Sequence, residues 1–513
     1  MKKKIYIHII FCAVFLLFLT KHVTNDLLVF WGYGKQVYMN GAYGLNALIE
    51  TWDMKGFIYR FFLYIEYLFT SKIAGDVFTL QAQFIYKLLG SLFLLAILYV
   101  AFSNIPERFL RKQFKMPAFC LTTVGLLATH FSAHFQAEMV GVFVFILAVC
   151  VYMRKTMLST LLAGVLVGMT FFLKSPMIVM GGSMCFVGLL LNDTRLKDDI
   201  KYIIGAASTA VFTILALIGF FYFYNAQELQ DIWDASFYQH TLLHNLTVMK
   251  LAHAFVSFGF GFCKSCLYYP VVCLGFFSAL FNIYKACRQK KIESIIIEAC
   301  VWFFPTMYIM VSNCYFAYHY YLLTFPALAS IYSHIKNIKH EEIKGMYLYA
   351  RNTSVLLLSC YYIYFLSSVS PYNIRTSLIY QSHIIETTEN IQKIVDNKES
   401  TKILYLDDGT GAMLFPNQSY LRYIYPLPIQ RIDNDNPFVE TETYKAVQNQ
   451  VLCFNDELIT LSDKWFFRYD HDEIKSKIAN EYRHLTTIDE YSFSWALFGE
   501  KIEINPIEVY KKK

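Results

Sequence analysis

The chain has 513 residues, of which 56% are hydrophobic, 18% aromatic and 16% charged, with a formal net charge of +6. Soluble globular chains carry about a quarter charged residues, so this composition excludes an ordinary water-soluble domain and points to an integral membrane protein. The Lys and Arg residues fall in short runs between apolar stretches instead of clustering on a polar face, which excludes a nucleic-acid footprint and carries topology.

The N-terminus, MKKKIYIHIIFCAVFLLFLTKH, has the basic head and apolar run of a signal peptide but no small-residue cleavage site after Leu19, and reads as an uncleaved first span. Stretches able to cross a hydrocarbon core of about 30 Å recur along the chain. About eleven are expected, near 5–20, 81–102, 117–131, 138–153, 158–173, 175–191, 203–224, 266–284, 295–312, 320–335 and 350–368. The fold class expected is therefore a mostly α, polytopic membrane protein. With the N-terminus inside, the inner loops hold nineteen Lys and Arg against eight in the longer outer loops, so the first long loop and the tail are expected to be external.

That first loop, residues 20–80, is too long for a connector, and LLVFWGYGKQVYMNG and FIYRFFLYIEYLF read as amphipathic helices lying in the interface. NAQELQDIWDASFYQHTLLHN, polar with interleaved aromatics, reads the same way. From about Ser370 the composition turns charged and polar, with an amphipathic helix pattern in SLIYQSHIIETTENIQKIV and strand-like runs in KILYLD, VLCFN and WALFGEKIEI. The expected division is a transmembrane domain over 1–369 and a small external α/β domain over 370–513.

Eleven of the twelve cysteines lie in or beside apolar spans, with only Cys453 in the polar tail, so no disulfide framework is expected. Cys263 and Cys266 form a CxxC without a second pair or histidines at ligand spacing, and packing explains them better than metal binding. DDGTG at 407–411 and DNDN at 433–436 lack calcium-loop ligand spacing. No cofactor is evident in the sequence, and dependence on a divalent metal is left open.

Several charged residues stand out from the apolar background. Asp26 follows the first span, and ETWDMKGFIYRF places Asp53 and Lys55 in the same loop. A solvated helix end accounts for Asp26 alone, and a snorkelling lysine for Lys55. Glu138 opens the fourth span, where a helix N-terminus also favours an acid for purely structural reasons. Lys174, between FFL and SPM, is costly among apolar residues unless it meets an anion or water. His319 sits among aromatics in YFAYHYYLLTFPALA, where histidine also serves as an interfacial anchor.

Together these blocks resemble the membrane-embedded GT-C glycosyltransferases, in the branch related to protein mannosyltransferases and to the aminoarabinose transferase of lipid A. WDMKG is similar to that family's W-D-x-K-(P/G)-P block, with Phe57 where proline is common. Asp26 after the first span, Glu138 opening an apolar helix, GVLVGMTFFLK ending at Lys174, DASFYQHTLLHN, AYHYYLLTFPALA and the tail's SYLRYIYPLPI resemble further family blocks in the same order.

The resemblance implies that Asp26 is the general base for an acceptor hydroxyl attacking an anomeric carbon with inversion. It also implies that Lys55, helped by Lys174, holds the phosphate of a polyprenyl-phosphate sugar, that Asp53 and Glu138 orient hydroxyls or the lysines, and that His319 has a donor-binding role. The implied partners are that sugar donor, membrane lipid, and a lipid, glycan or protein acceptor, in a bacterial cytoplasmic membrane with the active site outside. Two other readings compete. An O-antigen ligase or polymerase using undecaprenyl-diphosphate oligosaccharide would want arginines and histidines in a large external loop, where the first loop offers one arginine, Arg60, and a lipid or polysaccharide flippase would want charges facing a central cavity in several mid-membrane helices, whereas most candidates here are expected at one external level.

Overall fold

The computed structural model describes residues 2–20, 25–39, 56–107, 109–110, 112–127, 135–192, 194–237, 247–311, 317–336, 402–406, 437–455, 457–462, 472–493 and 502–513, with positions 386, 389, 390 and 393. These residues are mostly helical, with a small sheet near the C-terminus. The helices are α1 (Lys2–Thr20), α2 (Asn25–Met39), α3 (Phe57–Ala74), α4 (Leu80–Asn104), α5 (Lys112–Leu127), α6 (Ala137–Tyr152), α7 (Met157–Thr170), α8 (Met180–Asn192), α9 (Leu196–Tyr224), α10 (Ala226–Phe237), α11 (Val248–Tyr268), α12 (Pro270–Arg288), α13 (Ile292–Val311) and α14 (Thr324–Lys336). The tail adds α15 (Glu442–Cys453) and α16 (Asp472–Glu481).

Among the described residues, five stretches are helical, long and apolar enough to cross a membrane: Leu80–Asn104, Ser175–Asn192, Leu196–Tyr224, Pro270–Arg288 and Ile292–Met310. The other spans of the expected eleven are not confirmed among the described residues. Lys115–Leu127, Ala137–Tyr152 and Met157–Thr170 are apolar but short, and the stretch expected at 350–368 lies outside the described residues.

The chain divides into two compact units, the first made of Met1–Leu19, Ser91–Phe220 and His240–Tyr364, the second of Thr20–Gly90, Phe221–Gln239 and Phe365–Lys513. The division differs from a boundary at 369, because the tail groups with residues 20–90 and 221–239. Hydrogen bonds and ion pairs within the second unit account for this.

In the first unit α6 and α7 form an antiparallel pair. The reversal is tight because Lys155 takes a left-handed φ of 53°, which costs a non-glycine residue of the order of 1 kcal/mol. Thr156 then closes a reciprocal cap: its side chain accepts from the Ser159 backbone N–H while Ser159 accepts from that of Thr156. The Lys155 ammonium is held by Asp199 and Thr194, 2.5 and 3.1 Å away. Beyond α7 the chain bends at Lys174 into a 3₁₀ turn, Ser175–Val179, that leads into α8.

Helices α12, α13 and α14 pack together. A Cβ at Gly275 would lie 2.3 Å from the Cα of Ala327, so α12 and α14 meet backbone to backbone only because residue 275 is glycine. Gly275→Ala is expected to destabilise the protein by about 1–3 kcal/mol. Gly219→Ala on α9, where nothing lies within 4 Å, is expected to be neutral or stabilising; thermal unfolding of the two variants side by side checks this. The same three helices share a buried carboxyl. Glu298 accepts from the Ser330 hydroxyl and, at 3.4 Å, from the Asn282 amide, while Asn282 also donates to the Ser330 carbonyl at 3.2 Å and the Trp302 indole to the Ser330 hydroxyl at 3.0 Å.

In the second unit α2 packs on α3 with Trp31 seated among Tyr67, Phe78 and Tyr86. Arg60 on α3 and Glu228 on α10 form a fully buried ion pair. Three and six residues further along α10, Asp231 accepts from the Thr443 hydroxyl at 2.8 Å and Asp234 from the Thr443 backbone N–H at 3.2 Å. One helix thereby ties the first loop to the tail.

The tail sheet has the order β1 (Ile403–Leu406), β2 (Leu458–Leu461), β4 (Ile502–Lys512), β3 (Tyr482–Phe493). β1 and β2 run parallel, Ile403 opposite Leu458, with α15 in the crossover between them. Every residue of both strands is buried. Their Leu404, Leu406, Ile459 and Leu461 share one apolar core with Tyr444, Val447 and Val451 of α15 and Ile474 and Ile478 of α16. KILYLD is a strand as expected. VLCFN is not: it ends α15, where Val447 and Val451, four apart, keep a helical apolar face. Of WALFGEKIEI, residues 502–504 begin β4 and the rest lies outside the described residues, as does most of the helix expected at 377–395, whose described positions 386, 389, 390 and 393 are helical.

Lys35 on α2 is buried, which pushes its ammonium down from 10.5 to about 8, partly offset by Asp76. With the folded value below the unfolded one, the unfolded chain binds the extra proton between about pH 8 and 10.5, so stability is expected to rise with pH across that window. In Lys35→Met the alkaline rise should vanish, as read by chemical denaturation at pH 7.5, 9 and 10.5.

Candidate functional site

The first unit carries one buried constellation of ionisable groups that sequence singled out in part. Glu138 stands in the first turn of α6, Lys174 at the bend after α7, and His319 in a 3₁₀ turn, Ala317–Leu323, that runs into α14. α6 and α7 are antiparallel and of similar length, 16 and 14 residues. The start of one and the end of the other therefore fall at the same level. Tyr308, in the last turn of α13, joins them there.

Glu138 Oε1 is the hub: it accepts from Lys174 Nζ at 2.7 Å and from the Tyr308 hydroxyl at 3.0 Å, and lies 2.9 Å from His319 Nδ1. Lys174 Nζ is also 3.3 Å from His319 Nδ1 and 5.9 Å from the centre of the Tyr308 ring. Glu138 and His319 are each 1% exposed, whereas the Lys174 side chain is 18% exposed. A carboxylate this deeply buried is held by opposite charge and hydrogen bonds or not at all. The ammonium balances it, so with His319 neutral the group carries no net charge.

His319 Nδ1 can donate to Glu138 or accept from Lys174, but a single nitrogen cannot do both. The cluster thus has two proton arrangements that differ by one hydrogen bond. A protonated imidazole would let Glu138 keep a charged partner if Lys174 turned toward an incoming anion.

Gly141, one turn beyond Glu138, lets the Ser175–Val179 turn lie against α6: a Cβ there would come within 1.8 Å of the Met177 methyl. The turn's N-cap is Lys174 itself.

Of the residues expected at a site, Glu138, Lys174 and His319 are brought together. Asp26 is the second residue of α2, in the second unit, and its side chain lies outside the described residues; Asp53 and Lys55 lie outside them entirely. Tyr308 was missed, since WFFPTMYIM reads as plain apolar span. Arg60, Glu228 and Glu298 were missed as buried groups although charges inside apolar or amphipathic runs mark them. Among the described residues no group of His, Cys, Asp and Glu is arranged to hold a metal ion.

Comparison with protein-family models, with curated proteins and with solved structures gives no match.

Proposed function

We propose that the protein is a membrane glycosyltransferase that moves a sugar, with inversion, from a polyprenyl-phosphate donor to an acceptor hydroxyl at the outer face of a bacterial cytoplasmic membrane. The observation that carries the reading is the Glu138–Lys174–His319–Tyr308 cluster. It offers a partly exposed ammonium, steadied from behind by a buried carboxylate, at the end of apolar helices. That is what a lipid-linked phosphate requires. Its chain stays among apolar helices while the phosphate meets a cation at their ends.

In the reaction the acceptor oxygen attacks the anomeric carbon and gives its proton to a carboxylate base. The bond from that carbon to the phosphate oxygen breaks, and polyprenyl phosphate leaves with the electron pair. The departing phosphate gains negative charge, and a cation about 4 Å away at an effective dielectric of about 20 offers about 4 kcal/mol, roughly a thousandfold in rate if felt only in the transition state. Lys174 supplies that cation, Glu138 and Tyr308 hold it in place, and His319, donating its Nδ1–H to Glu138, keeps that carboxylate hydrogen-bonded as Lys174 turns to the phosphate. The family resemblance assigns the base to Asp26 and further donor contacts to Asp53 and Lys55. An ordinary aspartate is ionised at neutral pH and needs only positioning to act.

The test is transfer of radiolabelled sugar from a panel of polyprenyl-phosphate donors by purified protein. One donor should turn over, Asp26→Asn should remove the activity, and Lys174→Gln should lower kcat/KM about a thousandfold while the exposed Lys72→Ala leaves it unchanged. A protein that binds these lipids yet turns over none of them would end the reading and move attention to diphosphate-linked oligosaccharides, then to transport.

A further inference from the structure

At the other end of α6 from Glu138 the first unit holds a half-open cavity of about 140 Å³. Its walls include Phe102 of α4, Val149 and Met153 in the last turns of α6, and α14 from Phe325 to Lys336. From Phe325 to Lys336 α14 runs about 16 Å along its axis, close to half the ~30 Å thickness of a hydrocarbon core. The cavity is therefore about as long as one leaflet is deep. It is far larger than the ~10–15 Å³ that admits a water, but water also needs two or more polar partners. The wall's hydroxyls are already engaged, Tyr332 donating to the Ala118 carbonyl at 3.1 Å and sharing a 2.8 Å hydrogen bond with Thr122. A dry apolar space of this length suits a hydrocarbon chain.

The loop end of the same cavity is basic. Lys336 lines it and donates to the Leu191 carbonyl at 3.0 Å; Arg154, next to Met153, donates to the Asn104 carbonyl at 3.1 Å; Lys115 donates to the Ser103 carbonyl at 3.1 Å. Each of these bonds uses one donor of an ammonium that has three or a guanidinium that has five, so donors remain for an anion. No lining residue is acidic; Glu107 and Asp193 each lie two residues from a lining position, and Glu107 is exposed.

We propose that this cavity holds one acyl chain of an anionic membrane phospholipid, with the lipid phosphate among Lys336, Arg154 and Lys115. Length commits the occupant to a lipid of the leaflet that meets the basic loops, and charge commits its headgroup to an anionic one. The site is separate from the Glu138 cluster, since Ile146, its nearest lining residue on α6, lies about 12 Å along the helix from Glu138, and the proposal does not depend on the sugar-transfer reading.

The experiment uses the full chain in phosphatidylcholine nanodiscs containing a trace of either phosphatidylglycerol or phosphatidylcholine with a photoreactive group midway along one acyl chain. Crosslinks are mapped by peptide mass spectrometry. The phosphatidylglycerol probe is expected to label peptides 325–336 and 146–153 at least fivefold more than the phosphatidylcholine probe. Lys336→Gln combined with Arg154→Gln should bring that ratio near one, and Ala329→Leu, which fills the cavity, should remove labelling by both probes. Because a filled cavity can also unfold the bundle, the surface double variant carries the test by itself. Equal labelling by the two probes, or labelling spread over exposed positions of α9 such as Phe212 and Phe223 with none in the cavity, overturns the proposal. So does stronger labelling by a photoreactive polyprenyl phosphate.

Discussion

Glu138→Ala is expected to abolish sugar transfer and to lower stability by about 3–5 kcal/mol, the usual cost of removing one partner from a buried ion pair. The loss is large because one oxygen serves three groups: without it Lys174, Tyr308 and His319 all lose their shared acceptor. Glu138→Gln separates charge from shape. Its amide oxygen can still accept from Tyr308, so stability should fall by less, while Lys174 loses its counter-charge and turnover should still collapse. Glu138→Leu with Lys174→Met should recover much of the stability and none of the activity, since apolar side chains can replace a buried pair without cost. Thermal unfolding beside the transfer assay reads both effects. A Glu138→Ala protein that unfolds within about 0.5 kcal/mol of the wild type would show that the cluster is not held as an ion pair.

Arg60→Ala should be nearly as damaging to stability. Arg60 and Glu228 are both fully buried, and Arg60 also lies over the Phe57 ring, which itself meets Phe221 edge to face. Truncation strands the Glu228 carboxylate and empties the space the guanidinium filled, again at about 3–5 kcal/mol. The expected signature is local: faster hydrogen exchange in α3 and α10 before α8 or α13 is affected. Arg60→Met with Glu228→Leu should restore protection. If the single and double variants exchange alike, the pair contributes through volume alone.

Much of the fold was legible because lipid imposes a simple rule on sequence, that long apolar runs are helices. The bend at Lys174 was readable for the same reason, a lone lysine between two apolar runs. Span number was not. Whether Ala137–Tyr152 or Met157–Thr170 crosses a bilayer depends on neighbours that cover its ends, and sixteen or fourteen residues do not decide it. The tail was harder still. VLCFN satisfies a strand pattern over five residues and a helix pattern over twelve, and the longer pattern won because Val447 and Val451 meet the sheet. The meeting of Glu138, Lys174 and His319 rests on pairings between residues up to 181 positions apart, which periodicity does not encode. Each could be suspected singly as a charge in an apolar setting. Tyr308 could not, since tyrosine carries no penalty that would draw the eye.

The carboxyl of Glu298 also limits where this protein can move. Its partners belong to α12 and α14, and all of them are neutral. Sliding either helix by even one residue would leave a polar acid facing hydrocarbon, at a cost of several kcal/mol. Gly275 reinforces this, since its seat against Ala327 allows one depth of insertion. The three helices are consequently expected to keep a single register, and on the proposed transferase reading the motions of turnover fall to the segments around them.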